Sequence, residues 1–391
     1  MAGTTARAGT TAHEQDARHE AFRGDLLAHC YRMLGSVEEA EDLVQETLLR
    51  AWRAADRYDP HRASLRTWLH RIATNACLTA LEGRARRPLP SGLGPAGDPA
   101  APLVASLDVP WLQPFPDARL GDPADAAQQR AGLRLAWVAA LQVLPPRQRA
   151  ALVLREVLQL PAAEVALALD TTVASVNSSL QRARATLRAA GPAPEQLREP
   201  ADPTERAVVE RYLAAFEAGD VPGLTRLLAD DVVLEMPPVA LWLAGRAHYR
   251  AFMERVFAMR GTGWRLQPAR ANGSPALAAY APDPATAGVR AHSLQVFTVT
   301  GGLISRCVTF ADPTVLDLFE LPHPVQRPDR RAHGDQPDHG QDPRQPCHDQ
   351  GPGPRPRAAR HPRLRVRPGH PPHPLTPPAP EPGESSPEAG G

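Results

Sequence analysis

The apolar positions follow four patterns along the chain. From about residue 20 to 87 they recur every three or four residues, the spacing of one helix face. In EEAEDLVQETLLRAWRA (38–54), Ala40, Leu43, Val44, Thr47, Leu48 and Ala51 share a face. Asp42, Gln45, Glu46, Arg50 and Arg53 occupy the other. The acids lie near the N-terminus, where the helix dipole favours them. In SLRTWLHRIATNACLTALEGRARR (64–87), Ser64 suits an N-cap. Leu65, Trp68, Leu69, Ile72, Ala73, Ala76 and Ala80 form the expected core face. Arg66, Thr67, His70, Arg71, Thr74 and Asn75 are expected on the polar face, followed by Arg84, Arg86 and Arg87, with Glu82 the only acid. Such a face fits phosphates and base edges, although an ordinary solvated helix has the same period.

Residues 88–125 are rich in Pro and Gly and read as a linker. Helical spacing returns from about 126 to 190. LPPRQRAALVLREVLQLPAAEVALALDTTVASVNSSLQRARATLR (144–188) reads as helix, helix, tight turn, helix, with starts at Pro145-Pro146 and Pro161. Asp170-Thr171-Thr172 forms the break, because Asp tolerates a left-handed backbone and Thr caps well. Apart from its apolar stripe, the last helix offers Thr, Ser, Asn, Gln and Arg, and no carboxylate. This matches a helix-turn-helix whose second helix enters a major groove, or a three-helix bundle with one polar helix. After a second linker (191–203), residues 204–322 begin helically and pass into alternating, strand-like runs such as HSLQVFTVT (292–300), which suggests α+β.

The last stretch has no period. Residues 325–391 hold 17 of the 44 prolines and no Phe, Trp, Tyr or Ile, so they have little to bury and are expected to be disordered. They also look like a GC-rich gene read out of frame. Residues 1–19 are polar, read as a flexible N-terminus, and lack the apolar core of a secretory signal. No run reaches 18 apolar residues, so no membrane span is expected. Net charge is +1, which announces no nucleic-acid partner by itself. All 44 basic residues are Arg, which a GC-rich composition explains. The four cysteines form no C-x-x-C pair, so neither a metal site nor a disulfide framework is expected, and a cytosolic chain fits.

Two helical blocks with nucleic-acid faces, in this order, resemble bacterial sigma factors of the extracytoplasmic-function type. DLLAHCYRMLGSVEEAEDLVQETLLRAWRAADRYDP and SLRTWLHRIATNACLTALEGRARR resemble sigma region 2 (20–87). LPPRQRAALVLREVLQLPAAEVALALDTTVASVNSSLQRARATL resembles region 4 (126–190). The resemblance implies an alternative sigma factor, nucleoid-associated in the cytoplasm, that binds core RNA polymerase and reads promoter −10 and −35 elements. Polymerase docking would fall to Asp42, Gln45, Glu46 and Leu49, with Trp52 behind. Reading of the −10 element would fall to Arg66, Thr67, His70, Arg71 and Asn75. Reading of the −35 element would fall to Ser175, Asn177, Ser178, Ser179, Arg182 and Arg184. Relatives often have Gly in place of Asp170, and Lys and Arg in place of Asn177 and Ser179, so the −35 sequence does not transfer.

WLQPFPD (111–117) is similar to a feature of one subgroup, which carries a C-terminal SnoaL-like domain, an α+β cone of the nuclear-transport-factor-two type. Residues 204–322 fit that domain, and 323–391 form the tail. The apolar WLQPF would sit in a groove of polymerase or of the cone, or serve as a plain linker hydrophobe. Asn272-Gly273-Ser274-Pro275-Ala276 and Thr300-Gly301-Gly302-Leu303-Ile304 resemble motifs that mark the interface between the cone and the sigma part. Asp231, Glu235, His248 and His292 are the candidate polar residues of the cone, but no carboxylate pair or His/Asp spacing marks an acid–base dyad. Asp230-Asp231 is expected to cap a helix-to-strand turn. No enzyme activity and no cofactor are expected. The cone is instead expected to tune activity, with a separate anti-sigma factor allowed but not required. The competing readings are a ligand-sensing helix-turn-helix regulator without polymerase docking, and a cyclase-like enzyme with a fused DNA-binding part.

Overall fold

Three helices open the described chain: α1 (Arg23–Leu34), α2 (Val37–Arg53) and α3 (Leu65–Ala80). The structure is a computed structural model, and it describes residues 18–120, 132–190, 203–283 and 288–321. The expectations for the N-terminal 17 residues, the 191–202 linker and the C-terminal tail lie outside these residues.

The period-3.6 stripes become the core of the helical part. Val37, Ala40, Val44, Thr47 and Ala51 of α2 are buried against α1 and α3. Ser36 caps α2 by accepting from the Glu39 amide (3.4 Å). A second cap comes from far away in sequence: Gln113 Oε1 accepts from the Val37 amide (2.8 Å) and from Ser36 Oγ (3.0 Å). Gly35 ends α1 at φ +72°, and a Cβ there would stand 2.8 Å from Leu112, so WLQPF closes onto this turn.

The second helical group is α4 (Leu135–Gln142), α5 (Pro146–Leu152, continued by a π turn Val153–Val157), α6 (Ala162–Ala168) and α7 (Val173–Ala190). Arg149 of α5 joins the two groups. Its guanidinium donates to Gln142 Oε1 (2.7 Å), to Leu144 O (3.1 Å) and to the Met33 carbonyl of α1. Burial pushes its pKa down to about 10.

The third part is α+β. Helices α8 (Pro203–Ala218) and α9 (Val221–Arg226) precede β1 (Leu228–Met236) and β2 (Val239–Ala244). Helix α10 (Arg246–Arg260) leads to β3 (Arg265–Ala271), β4 (Ser274–Asp283), β5 (Gly288–Thr300), β6 (Leu303–Phe310) and α11 (Pro313–Leu318). The sheet order is β2-β1-β6-β5-β4-β3, antiparallel except for the β1–β6 pair. Register shifts in β1, β4 and β5 help bend it into a cone. Period-2 alternation then divides the side chains. Phe297 of β5 joins Tyr212, Phe216, Tyr249, Phe252 and Trp264 inside the cone. Leu294 and Val296, with Val308 and Phe310 of β6, point outward into the same apolar cluster as Leu26, Leu69, Leu112, Phe115 and Val153. The cone and the helices therefore share one core.

Asp230 and Asp231 do not cap a helix. They lie inside β1, with Asp230 exposed and paired with Arg246 (3.1 Å), because α9 already ends at Arg226. The capping acid of that helix is Asp220, whose carboxylate accepts from the Gly223 amide (2.8 Å).

Candidate nucleic-acid interface

On α2 the polar stripe is free of the fold. Asp42, Gln45, Glu46 and Leu49 are exposed at i, i+3, i+4 and i+7, so they share one face. Leu49 and Trp52 are 46% and 51% exposed, which gives an acidic face a hydrophobic end. Glu46 is partly neutralised by Arg50 (2.7 Å).

Helix α3 departs from its expected faces. Arg71 and Asn75 are exposed, but Thr67, His70 and Thr74 are buried and Arg66 is half-buried. The cover comes from α1 and the second helical group. Thr67 Oγ1 donates to Glu164 Oε2 of α6 (2.8 Å), and Arg66 pairs with Asp25 (3.3 Å). His70 Nδ1–H donates to the Arg66 carbonyl (2.8 Å), which leaves Nε2 as a buried lone pair without a partner. Burial first, helped by the nearby Arg66 charge, lowers its pKa to about 4, so it is neutral at pH 7. His29 lies 5.3 Å away, ring to ring, and its pKa is also pushed down by burial. Beside them a groove of about 380 Å³ is lined by Arg57, Arg62, Arg71 and Tyr58 on one side, and by Glu164 and Leu167 on the other. Trp68 lies beside Tyr58, ring centroids 5.2 Å apart and tilted by 41°.

The third surface is α7. Ser175, Asn177, Ser178, Arg182 and Arg184 are exposed and Ser179 is half-exposed, while Val176, Leu180 and Ala183 are buried. Asp170 takes φ +48°, the left-handed turn a glycine would suit, and Thr172 Oγ1 accepts from the Ser175 amide (3.2 Å). Arg184 is engaged by Glu156 (2.7 Å), which leaves Arg182 as the freer of the two cations.

One residue ties the cone to both helical groups. Asn272 and Gly273 turn from β3 into β4 at φ +56° and +66°. Asn272 is fully buried; its Oδ1 accepts from the Phe115 amide (2.8 Å), and its Nδ2 donates to Tyr31 Oη (2.9 Å) and to Leu133 O (2.7 Å). Asp117 accepts from the Gly273 amide (2.8 Å) and pairs with Arg270 (3.2 Å). The second interface motif lies elsewhere: Gly301 and Gly302 form the β5–β6 turn, where an added Cβ would meet nothing within 4 Å. WLQPF is neither a free hydrophobe nor exposed for polymerase, since Leu112 and Phe115 are fully buried in the shared core.

Of the candidate polar residues in the cone, only His292 lines its cavity. Asp231 and His248 are exposed, and Glu235 faces outward, paired with Arg306 (3.2 Å) and accepting from the Ser91 amide (2.9 Å). The alternation Val232, Leu234, Met236 carried that signal, because it places Glu235 on the opposite face. Gln113, Glu164 and Tyr31 had no local signal, since their partners are distant in sequence.

Three family descriptions match this chain: Sigma-70 region 2 over residues 19–87, Sigma-70 region 4 over 134–187, and a SnoaL-like domain over 209–307. It is similar to the ECF RNA polymerase sigma factor SigG of Mycobacterium tuberculosis, at 48% identity over 318 residues, covering 78% of this chain and 83% of the relative. The chain belongs to the ECF RNA polymerase sigma factors. This sigma factor is also similar to SigJ of Mycobacterium tuberculosis, at 34% identity over 54% of this chain and 62% of that one. The crystal structure of SigJ resembles it with a TM-score of 0.54 at 27% identity, covering 77% of this chain and 98% of that one. As a family member it binds core RNA polymerase and promoter DNA and directs promoter-specific initiation. No described helix is long and apolar enough to cross a membrane, and no group of potential metal ligands occurs among the described residues.

Proposed function

We propose that the fold is the closed state of this sigma factor, held shut by its C-terminal cone. The carrying observation is Thr67 donating to Glu164, which brings region 4 against the helix expected to read the −10 element. Elements at −10 and −35 are about 25 base pairs apart, roughly 85 Å of duplex. Helix α7 begins nine residues after Glu164 and, with 18 residues, spans only about 27 Å. One closed molecule therefore cannot reach both elements, and initiation requires regions 2 and 4 to separate. Glu164 also brings a carboxylate to the groove of Arg57, Arg62 and Arg71, where a DNA phosphate would compete with it.

In the open state, Arg66, Arg71 and Asn75 read the −10 region, joined by Thr67 and His70 once uncovered. Ser175, Asn177, Ser178, Ser179, Arg182 and Arg184 read the −35 region. Asp42, Gln45, Glu46 and Leu49 dock on polymerase. The cone acts as a control module and not as an enzyme, a reading supported by the lining of its cavity, which among the described residues includes no carboxylate to serve as a general base. The work is cytoplasmic, at the nucleoid. A separate anti-sigma factor is not required, because the closing contacts lie within the chain.

The test is in vitro transcription with core polymerase, comparing the native chain with Asn272→Gly. Glycine keeps the left-handed turn but removes three closing hydrogen bonds. Initiation per folded molecule should rise severalfold. Equal or lower initiation would reject control by the cone.

A further inference from the structure

The cone encloses a cavity of about 250 Å³ lined mainly by Tyr212, Phe216, Phe252, Met253 and Trp264, with Gln295, His292, Ser293 and Thr309 as its polar groups and the exposed Arg260 as its one charged neighbour. Gln295 is 5% exposed, and its Oε1 has no hydrogen-bond partner. A buried acceptor left open in an apolar cavity calls for a donor. Tyr212 and Tyr249 share one hydrogen bond, hydroxyl to hydroxyl, at 2.7 Å, and Tyr249 also bonds Cys307. His292 stays neutral, since burial lowers its pKa to about 4. Among the described residues the lining offers no carboxylate to hold a cation.

The mouth is crossed by the linker between regions 2 and 4. Trp242 Nε1 donates to Gly94 O (2.8 Å), and the Gly97 amide donates to Trp242 O (2.9 Å). Arg255 donates to the carbonyls of Pro99 and Ala101 (both 2.7 Å), and the Ser106 amide donates to Pro238 O (2.8 Å). Between these anchors Leu103 reaches the cavity as part of its lining. The strap is thus fastened to the cone while covering it.

We propose that the cone is a receptor for an uncharged ring compound with one hydroxyl, bound beneath this strap, and that occupancy fastens the linker. An apolar cavity of roughly 150 Å³ takes one benzene. On that scale the cone takes about ten carbons, with the hydroxyl donating to Gln295. A ligand that packs under Leu103 binds the strapped state more tightly, and so shifts the population toward it. The effect on transcription rests on the proposed control by the cone; binding does not.

The probe is 1-naphthol, with naphthalene as its hydroxyl-free match, titrated calorimetrically into the full-length chain. 1-Naphthol should bind about tenfold more tightly than naphthalene. Gln295→Leu should erase that difference, Leu103→Asp should weaken both ligands, and 1-naphthol should slow amide exchange over residues 97–106. Absence of saturable binding, or binding indifferent to both substitutions, overturns the receptor whatever Asn272→Gly does in transcription. Binding with a slowed strap but unchanged transcription supports the receptor and sinks the regulatory reading instead.

Discussion

Asn272 concentrates several long-range contacts in one residue. It joins region 2, the linker and the start of region 4 through one buried amide. Asn272→Gly leaves the Phe115 amide and the Leu133 carbonyl without partners, at about 2–3 kcal/mol in total. Thermal unfolding of the full chain should show the lower midpoint. The His29–His70 pair makes a separate claim about pH. The folded His70 pKa of about 4 lies below the unfolded value of roughly 6.5, so the unfolded chain binds more protons between these values. Stability is therefore intact above about pH 6.5 and is lost as pH falls toward 4, by about 2 kcal/mol at pH 5 from His70 alone. His70→Asn, which can still donate to the Arg66 carbonyl, should flatten that slope in unfolding measured from pH 7 to 5. An unchanged slope would reject the assignment.

At the scale of elements, α7 is the clearest case of a helix whose chemistry follows from its sequence. Its buried stripe and its exposed short polar groups both lie where the spacing puts them, since neighbouring elements cover only the apolar side. With Arg184 engaged by Glu156, the proposed −35 docking would rest its phosphate anchoring more on Arg182. Arg182→Ala should weaken promoter binding and reduce the steepness of its salt dependence by about one unit of log–log slope. Binding measured at several salt concentrations decides this, and a parallel line would count against the docking. Helix α3 shows the opposite. Its period was legible, but burial of Thr67 and His70 was not, because the cover comes from segments as far as 97 residues away. The linker misled in the same way. Its Pro and Gly content signalled absence of regular structure, yet Gln113 caps a helix and Phe115 fills the core. Composition reports local stiffness; it does not report what a chain lies against.

For the whole molecule, the proposed opening would be resisted by a few polar contacts laid over a shared apolar core. Glu164→Gln keeps the size of the side chain but weakens the acceptor for Thr67 and removes the negative charge from the Arg57, Arg62 and Arg71 groove. The variant should occupy the open state more often. Small-angle scattering should show a larger radius of gyration, and initiation should rise. An unchanged radius with unchanged initiation would refute the closed-state reading.

The shared core also sets a timetable. A ribosome adds roughly 5–20 residues per second. From Ala190, the last residue of α7, to Leu318, the last of α11, it has 128 residues still to make, which takes roughly 6–25 seconds at that pace. During that interval the helices are complete, but Leu294, Val296, Val308 and Phe310 have not yet arrived to cover them. On the proposed control by the cone, each new copy therefore passes through a brief interval in which its helices exist before the segment that would restrain them.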